Sequence, residues 1–207
     1  LRDYKENIPK LFWYTGCLLV SNGSETRIGT LTSPWEHFNP WKRIDDEDES
    51  EQISLETTVE ATCRPERFLD LLENFVLYSE TKGEKRKILA KNHQYLGVRN
   101  AFQSVQDKEK KDGSLGVFWH TQGSGKSYSM IFLAQKVFRK LPGNWTFVIV
   151  TDRIDLDNQI YKNFAGAGAV TEPARPPRAT APIPKTNAPA PASRMSPCPH
   201  VYPRVVR

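Results

Sequence analysis

Gly116 to Ser127 reads GVFWHTQGSGKS: a short apolar run, a glycine-serine-glycine cluster, then a lysine and a serine. His120 to Ser127 fits G-x-x-x-x-G-K-[ST] at every position but the first, where His120 stands in place of glycine. Gly123 and Gly125 allow the backbone to curl, so that successive N–H groups point inward at phosphate oxygens near the positive end of a following helix. Lys126 would bridge those oxygens, and Ser127 would offer its hydroxyl to Mg²⁺. Thr121, Gln122 and Ser124 complete the cradle. The bland alternative is a Gly/Ser turn that precedes a lysine by chance, and His120 reads as a packing or loop-shaping residue rather than a catalyst.

The flanking sequence predicts a strand, loop, helix, strand, helix order. Gly116 to Trp119 reads as a short strand. Lys126 to Lys140 carries Met130, Ile131, Leu133, Ala134, Val137 and Phe138 at helical spacing. Pro142-Gly143 breaks that helix, Trp145 to Val150 (WTFVIV) has the β-branched and aromatic content of a buried parallel strand, and Asp155 is placed to cap a helix running through Phe164. The expected fold class is therefore α/β, with helices on the faces of a parallel sheet.

Upstream, residues 1–62 read as β-rich, with a hairpin in which Ser21-Asn22-Gly23-Ser24 turns the chain before Thr26 to Thr30. Asp45 to Glu51, DDEDESE, packs acids that repel one another and reads as a solvated loop. Phe68, Leu71, Leu72, Phe75 and Val76 define an amphipathic helix with Pro65 in its first turn. Charged TKGEKRK, from Thr81 to Lys87, reads as a boundary. Ile88 to Val105 reads as another helix, and Gln106 to Gly113 as a polar linker. The organisation expected is thus 1–62, a connecting helix and linker over 63–87, an α/β unit over 88–164, and a proline-rich tail over 165–207. That tail lacks hydrophobic periodicity and is expected to be disordered.

The chain has 207 residues with a formal net charge of +5. From Ala165 onward Arg175, Arg178, Lys185, Arg194, Arg204 and Arg207 stand against Glu172 alone, so the basic balance belongs to the tail. Charge alone does not make the folded part a polyanion binder. No run approaches the roughly 18 apolar residues of a membrane span, and the N-terminus lacks a signal-peptide layout, so the expected compartment is the cytoplasm. Cys17, Cys63 and Cys198 lack metal-ligand spacing and read as reduced thiols.

Taken together, GVFWHTQGSGKS and WTFVIVTDRIDLDNQIYKNF closely resemble the first motor motifs of the restriction (R) subunit of type I restriction-modification enzymes, DNA-translocating endonucleases of the superfamily 2 helicase type. In that family HTQGSGKS is the phosphate loop, so His120 matches. Asn7 to Trp41 is similar to the family's segment joining nuclease to motor. NHQYLGVRNA, Asn92 to Ala101, resembles its adenine-reading glutamine motif, with Gln94 the candidate. VTDRIDLDNQ, Val150 to Gln159, resembles the motif that tracks the DNA backbone, with Thr151 and Arg153 the candidate contacts.

The resemblance implies the β-rich end of a nuclease domain followed by the start of a RecA-like P-loop motor lobe. It further implies ATP and Mg²⁺ as cofactors, and double-stranded DNA with the modification (M) and specificity (S) subunits as partners. On residues alone Gln94 would pass for a surface glutamine. Arg153 is better placed, because loops at the carboxyl ends of parallel strands line ligand crevices, although a surface ion pair would suit it equally.

Hydrolysis also needs carboxylates for Mg²⁺ and water, usually from a later strand ending in Asp-Glu, and an arginine finger. No such strand follows WTFVIV, and no catalytic residue is assigned. Tyr4 matches the tyrosine of the family's Gln-x-x-x-Tyr motif, whose glutamine would precede Leu1. The switch after Pro173 into ATAPIPKTNAPAPAS reads as a frameshift or truncated copy. The expectation is an incomplete restriction subunit without nuclease activity and with little or no ATPase. The alternatives are a non-catalytic nucleotide-binding module or remnant, another superfamily 2 helicase-like ATPase, or an unstable remnant.

Overall fold

The computed structural model describes residues 2–81, 84–168 and 205–206. Helix α1 (Arg2–Asn7) and a 3-10 turn at Pro9–Phe12 lead into strands β1 (Leu18–Ser21) and β2 (Thr26–Gly29), paired antiparallel from Leu18↔Gly29 to Ser21↔Thr26. The expected turn closes this hairpin. Asn22 Oδ1 accepts from the N–H groups of Ser24 and Glu25 at 3.1 and 2.8 Å, and Gly23 takes the positive φ of +96° that the geometry requires. Gly29 serves a different need: a Cβ there would lie 2.7 Å from the ring of Phe38, which is buried against it.

Helix α2 (Leu55–Cys63) was not foreseen, because LETTVEATC is rich in threonine and mixes its apolar positions. Local hydrogen bonds make the helix. Ser54 caps it, accepting from Thr57 N at 2.9 Å. Thr58 and Thr62 donate their hydroxyls to the carbonyls of Ser54 and Thr58, four residues back, at 2.9 and 2.6 Å. Pro65 then ends α2 and opens α3 (Pro65–Asn74), as the residue preceding a proline is pushed out of the helical region.

Strands β3 (Val76–Thr81) and β4 (Glu84–Leu89) form a second antiparallel hairpin. The charged stretch expected to be a boundary thus contributes Glu84 to Lys87 to a strand, and the helix expected from Ile88 begins only as α4 (Asn92–Gln106). Helix α5 (Lys126–Lys140) has the boundaries read from its periodicity. Helix α6 (Ile154–Gly166) is also present, although Arg153 rather than Asp155 occupies its N-cap and Asp155 lies in the first turn.

The expected parallel sheet does not form among the described residues. All three sheets are two-stranded and antiparallel. Gly116–Trp119 joins no strand: Gly116 takes φ +104°, and Val117 and Trp119 are 89% and 86% exposed. Of WTFVIV only β5 (Phe147–Val148) is a strand, paired with β6 (Val205–Val206). Two short runs cannot by themselves make a parallel sheet, which needs several neighbouring strands and helices covering both faces. Of the tail expected to be disordered from residue 165, Ala165 and Gly166 instead close α6 and Val205–Val206 pair with β5, while residues 169–204 and 207 lie outside the described ones.

One core holds these elements. Trp41, Tyr95, Phe75 and Phe132 form a chain of tilted rings with centroids 5.6, 4.6 and 5.8 Å apart, in the edge-biased arrangement aromatic quadrupoles favour. Leu71, Leu77, Leu96, Ile131 and Phe164 pack around them. At its edge lies a buried ion pair, with Lys136 Nζ 2.8 and 2.7 Å from the two carboxylate oxygens of Asp70. Asn74 Nδ2 donates to the same carboxylate at 2.8 Å, and the ammonium faces the rings of Phe75 and Phe102 at 4.9 and 5.3 Å. Cys17 and Cys63 are free thiols.

Burial in this core, together with the nearby Asp70, pushes the Tyr95 hydroxyl up to about 12. A folded-state pKa above the unfolded value near 10 gives stability that is complete below pH 10 and lost as pH rises toward 12. Tyr95→Phe should therefore flatten the decline in unfolding free energy between pH 10 and 12. At pH 11 the wild type should gain one more tyrosinate on unfolding than the variant does, read by absorbance. Equal alkaline profiles for the two proteins would refute this.

Candidate nucleotide-binding site

The loop His120–Ser127 joins the extended segment before it to α5. Gly123 and Gly125 sit at φ +78° and +88°, the left-handed geometry for which a curled loop selects glycine. Ser124 fastens the curl, its hydroxyl donating to Thr121 O at 2.7 Å. Helix α5 starts at Lys126 with Gly125 as N-cap and without a side-chain cap. The first turn of a helix leaves its N–H groups without intrahelical acceptors, so the positive end of α5 opens onto the loop. Thr121, Gln122 and Gly123 are exposed there, with Ser124, Gly125 and Ser127 half-buried.

Lys126 is exposed and folds back across the loop, donating from Nζ to His120 O at 2.7 Å and Thr121 O at 3.0 Å. The ammonium thus occupies neutral carbonyls that a phosphate would outcompete, since hydrogen bonds between two charged groups are stronger than those to a neutral acceptor.

Gln94 is brought to the loop from the first turn of α4 and is 4% exposed. Its Oε1 accepts from Lys91 N at 2.9 Å, closing the start of α4, while Nε2 donates to Gly125 O at 2.9 Å and Ser124 O at 3.4 Å. A Cβ on Gly125 would lie 2.6 Å from that amide nitrogen. Gln94 is therefore a buried brace of the loop and not the surface glutamine its helix alone suggests.

His93 reinforces the brace, with Nε2 3.1 Å from Ser124 O. Burial holds its pKa below the ordinary histidine value, and His120 and Lys91 push it further down, while the Ser124 carbonyl pulls the other way. The ring is neutral at physiological pH, and its carbonyl partner assigns the proton to Nε2. His93 was missed in the sequence. Its only signal was its place beside Gln94 at the head of an amphipathic helix.

Beside the loop opens a cavity of about 630 Å³ whose wall includes Ile28, Pro34, Leu89, Gln94, Gly125 and Tyr128, a size and mixed lining typical of small-molecule sites. The first hairpin and the segment after it form much of that wall, which no motif foreshadowed. Thr151 and Arg153 lie together before α6, with Thr151 Oγ1 donating to Arg153 O at 3.4 Å. Neither hydrogen-bonds to the loop or to Gln94 among the described residues. No cluster of three or more His, Cys, Asp or Glu among the described residues could hold a metal ion, and no helix among them is long and apolar enough to cross a membrane.

A glycine loop opening at a helix N-terminus is suited to hold an anion, and comparison with known proteins finds similarity to an ATPase family. The SWI2/SNF2 ATPase family profile matches residues 93–181. The chain resembles the endonuclease subunits of type I restriction enzymes over most of its length. It is 39% identical over 170 residues, 78% of this chain, to the type I restriction enzyme HindI endonuclease subunit of Haemophilus influenzae. It is 29% identical over 191 residues, 81% of this chain, to the candidate type I restriction enzyme MjaIXP endonuclease subunit of Methanocaldococcus jannaschii. The aligned parts amount to 16% and 18% of those relatives' own lengths.

Proposed function

We propose that the chain binds ATP at His120–Ser127 and corresponds to the ATP-binding entrance of the DNA-translocating, DNA-cleaving subunit of a type I restriction enzyme. The observation that carries this reading is the hydrogen bond from Gln94 Nε2 to Gly125 O, which ties the glutamine of NHQYLG to the glycine of GSGKS across 31 residues. Residues 1–62 then correspond to the end of the nuclease domain, 63–87 to the connection, and 88–164 to the start of a RecA-like motor lobe.

Lys126 leaves the loop carbonyls for the β- and γ-phosphates, and the N–H groups of the loop and the first turn of α5 hold the same oxygens. The adjoining cavity, with Gln94 in its wall, would take the adenine. Mg²⁺ would be held by the Ser127 hydroxyl together with the nucleotide's own phosphate oxygens and water, since no carboxylate cluster among the described residues is placed to hold it. Thr151 and Arg153 contact the DNA backbone in the assembled enzyme, whose modification and specificity subunits are the partners.

After WTFVIV the sequence carries no adjacent Asp-Glu pair, and on this reading the 207-residue polypeptide binds nucleotide with little or no turnover and does not cut DNA. Phosphate release measured with Mg²⁺, ATP and duplex DNA, and cleavage measured on plasmid DNA, should both stay at background. Turnover that disappears on Lys126→Ala would overturn the non-hydrolytic reading.

A further inference from the structure

We infer that Glu47, in the acidic stretch Asp45–Glu51, is a positioning residue for the phosphate loop and acts through His120. The inference rests on the proposed nucleotide site. The acids of this stretch are largely solvated, as their mutual repulsion predicts, yet they form a built turn. The Glu49 carboxylate accepts from the N–H groups of Ile44 and Asp45 at 2.7 and 3.1 Å, Arg43 Nε donates to Glu49 O at 2.7 Å, and Arg67 pairs with Asp45.

The turn is fastened to α4 by buried Asn92. Its Oδ1 accepts from Lys42 N and Arg43 N at 3.2 and 3.1 Å, and its Nδ2 donates to Arg43 O at 2.9 Å. The side chain that results from this anchoring is Glu47, with Oε1 3.7 Å from His120 Nε2. Gly97 on α4 leaves the room: a Cβ there would lie 2.5 Å from the Phe118 ring and 3.1 Å from Glu47 Oε1.

His120 is held on its remaining sides by Phe118 and His93, at ring distances of 4.3 and 4.8 Å. Its Nδ1 is buried without a hydrogen-bond partner among the described residues, so Glu47 supplies its polar anchor. The backbone of the same residue carries the carbonyl that accepts Lys126 Nζ at 2.7 Å. Fixing the imidazole therefore fixes where the loop begins and where its lysine rests, and the segment before the motor sets the shape of the phosphate cradle.

The test is equilibrium titration of the 207-residue chain with a fluorescent ATP analogue and Mg²⁺, alongside NMR of the His120 ring without nucleotide. Glu47→Ala should weaken binding about threefold to fivefold, the scale of one half-exposed polar contact, and should move the His120 signals. Glu47→Gln, which keeps the side chain's length and a polar oxygen beside Nε2, should bind like wild type. Glu51→Ala, which removes a carboxylate paired with Lys42 and Arg43, should change neither readout. In a His120→Asn chain, Glu47→Ala should have no further effect.

His120 signals indifferent to Glu47→Ala would overturn the inference whether or not nucleotide binds. So would wild-type affinity of Glu47→Ala while Lys126→Ala weakens binding. Equal binding by wild type and Lys126→Ala would instead overturn the nucleotide site itself.

Discussion

Lys126→Ala should weaken MgATP binding by about 10- to 100-fold, which corresponds to losing a charged hydrogen bond worth roughly 1.5–3 kcal/mol. The ammonium is exposed and, among the described residues, bonded only to loop carbonyls, so its removal costs the fold little, and the thermal midpoint should stay near that of the wild type. Isothermal calorimetry at fixed salt checks the binding, and a melt of the same samples checks the fold. Lys126→Arg should rescue poorly, because a planar guanidinium does not replace a compact ammonium in a cradle of this curvature. Unchanged affinity in the alanine variant would remove the loop from the list of nucleotide sites.

The second large effect should fall on stability. Asp70→Ala strands Lys136, which is 7% exposed, in a pocket made by Phe75 and Phe102, and breaking a buried pair from one side costs about 3 kcal/mol or more. For a chain of this size that corresponds to a fall of roughly 6–12 °C in Tm. Burial already lowers the Lys136 pKa against the opposing pull of Asp70, so the stranded ammonium is the source of the loss. Lys136→Met in the Asp70→Ala background should recover most of it, since an unbranched apolar side chain fits between the two rings. Calorimetric melts of the single and double variants decide the matter: a double variant no more stable than Asp70→Ala would show that the cost is a packing defect around Asp70 and not an unpaired charge.

Some of this architecture could be read directly from the residues. Helix α5 was legible to its boundaries because its apolar positions keep helical spacing after a glycine that cannot continue the preceding extended chain. Helix α3 announced itself through Pro65 and the Phe68-Leu71-Leu72 stripe, and the first hairpin through Asn22-Gly23. Helix α2 was hidden because threonine reads as a strand former until its hydroxyl finds the carbonyl four residues back. Strand β4 was hidden because EKRK reads as a solvated linker, and its place is set by pairing with Val76–Thr81.

For the site, the glycines and Lys126 were legible as a loop and Gln94 only by resemblance. The contacts of His93 and Glu47 join segments far apart in the chain, and no local pattern announces them. The parallel sheet was over-read: a β-branched run states a preference for extended backbone, not a partner.

The second hairpin carries a practical consequence. β3 continues from the helix that holds Asp70, and β4 leads directly into the helix that holds Gln94. A phosphate loop excised with only the residues after Lys87 would leave behind Phe75, Leu77 and Asp70, taking Lys136 without its counter-ion and Tyr95 without its ring partner. The loop is therefore not a portable cassette: whatever carries it between proteins must carry the upstream half of the core as well.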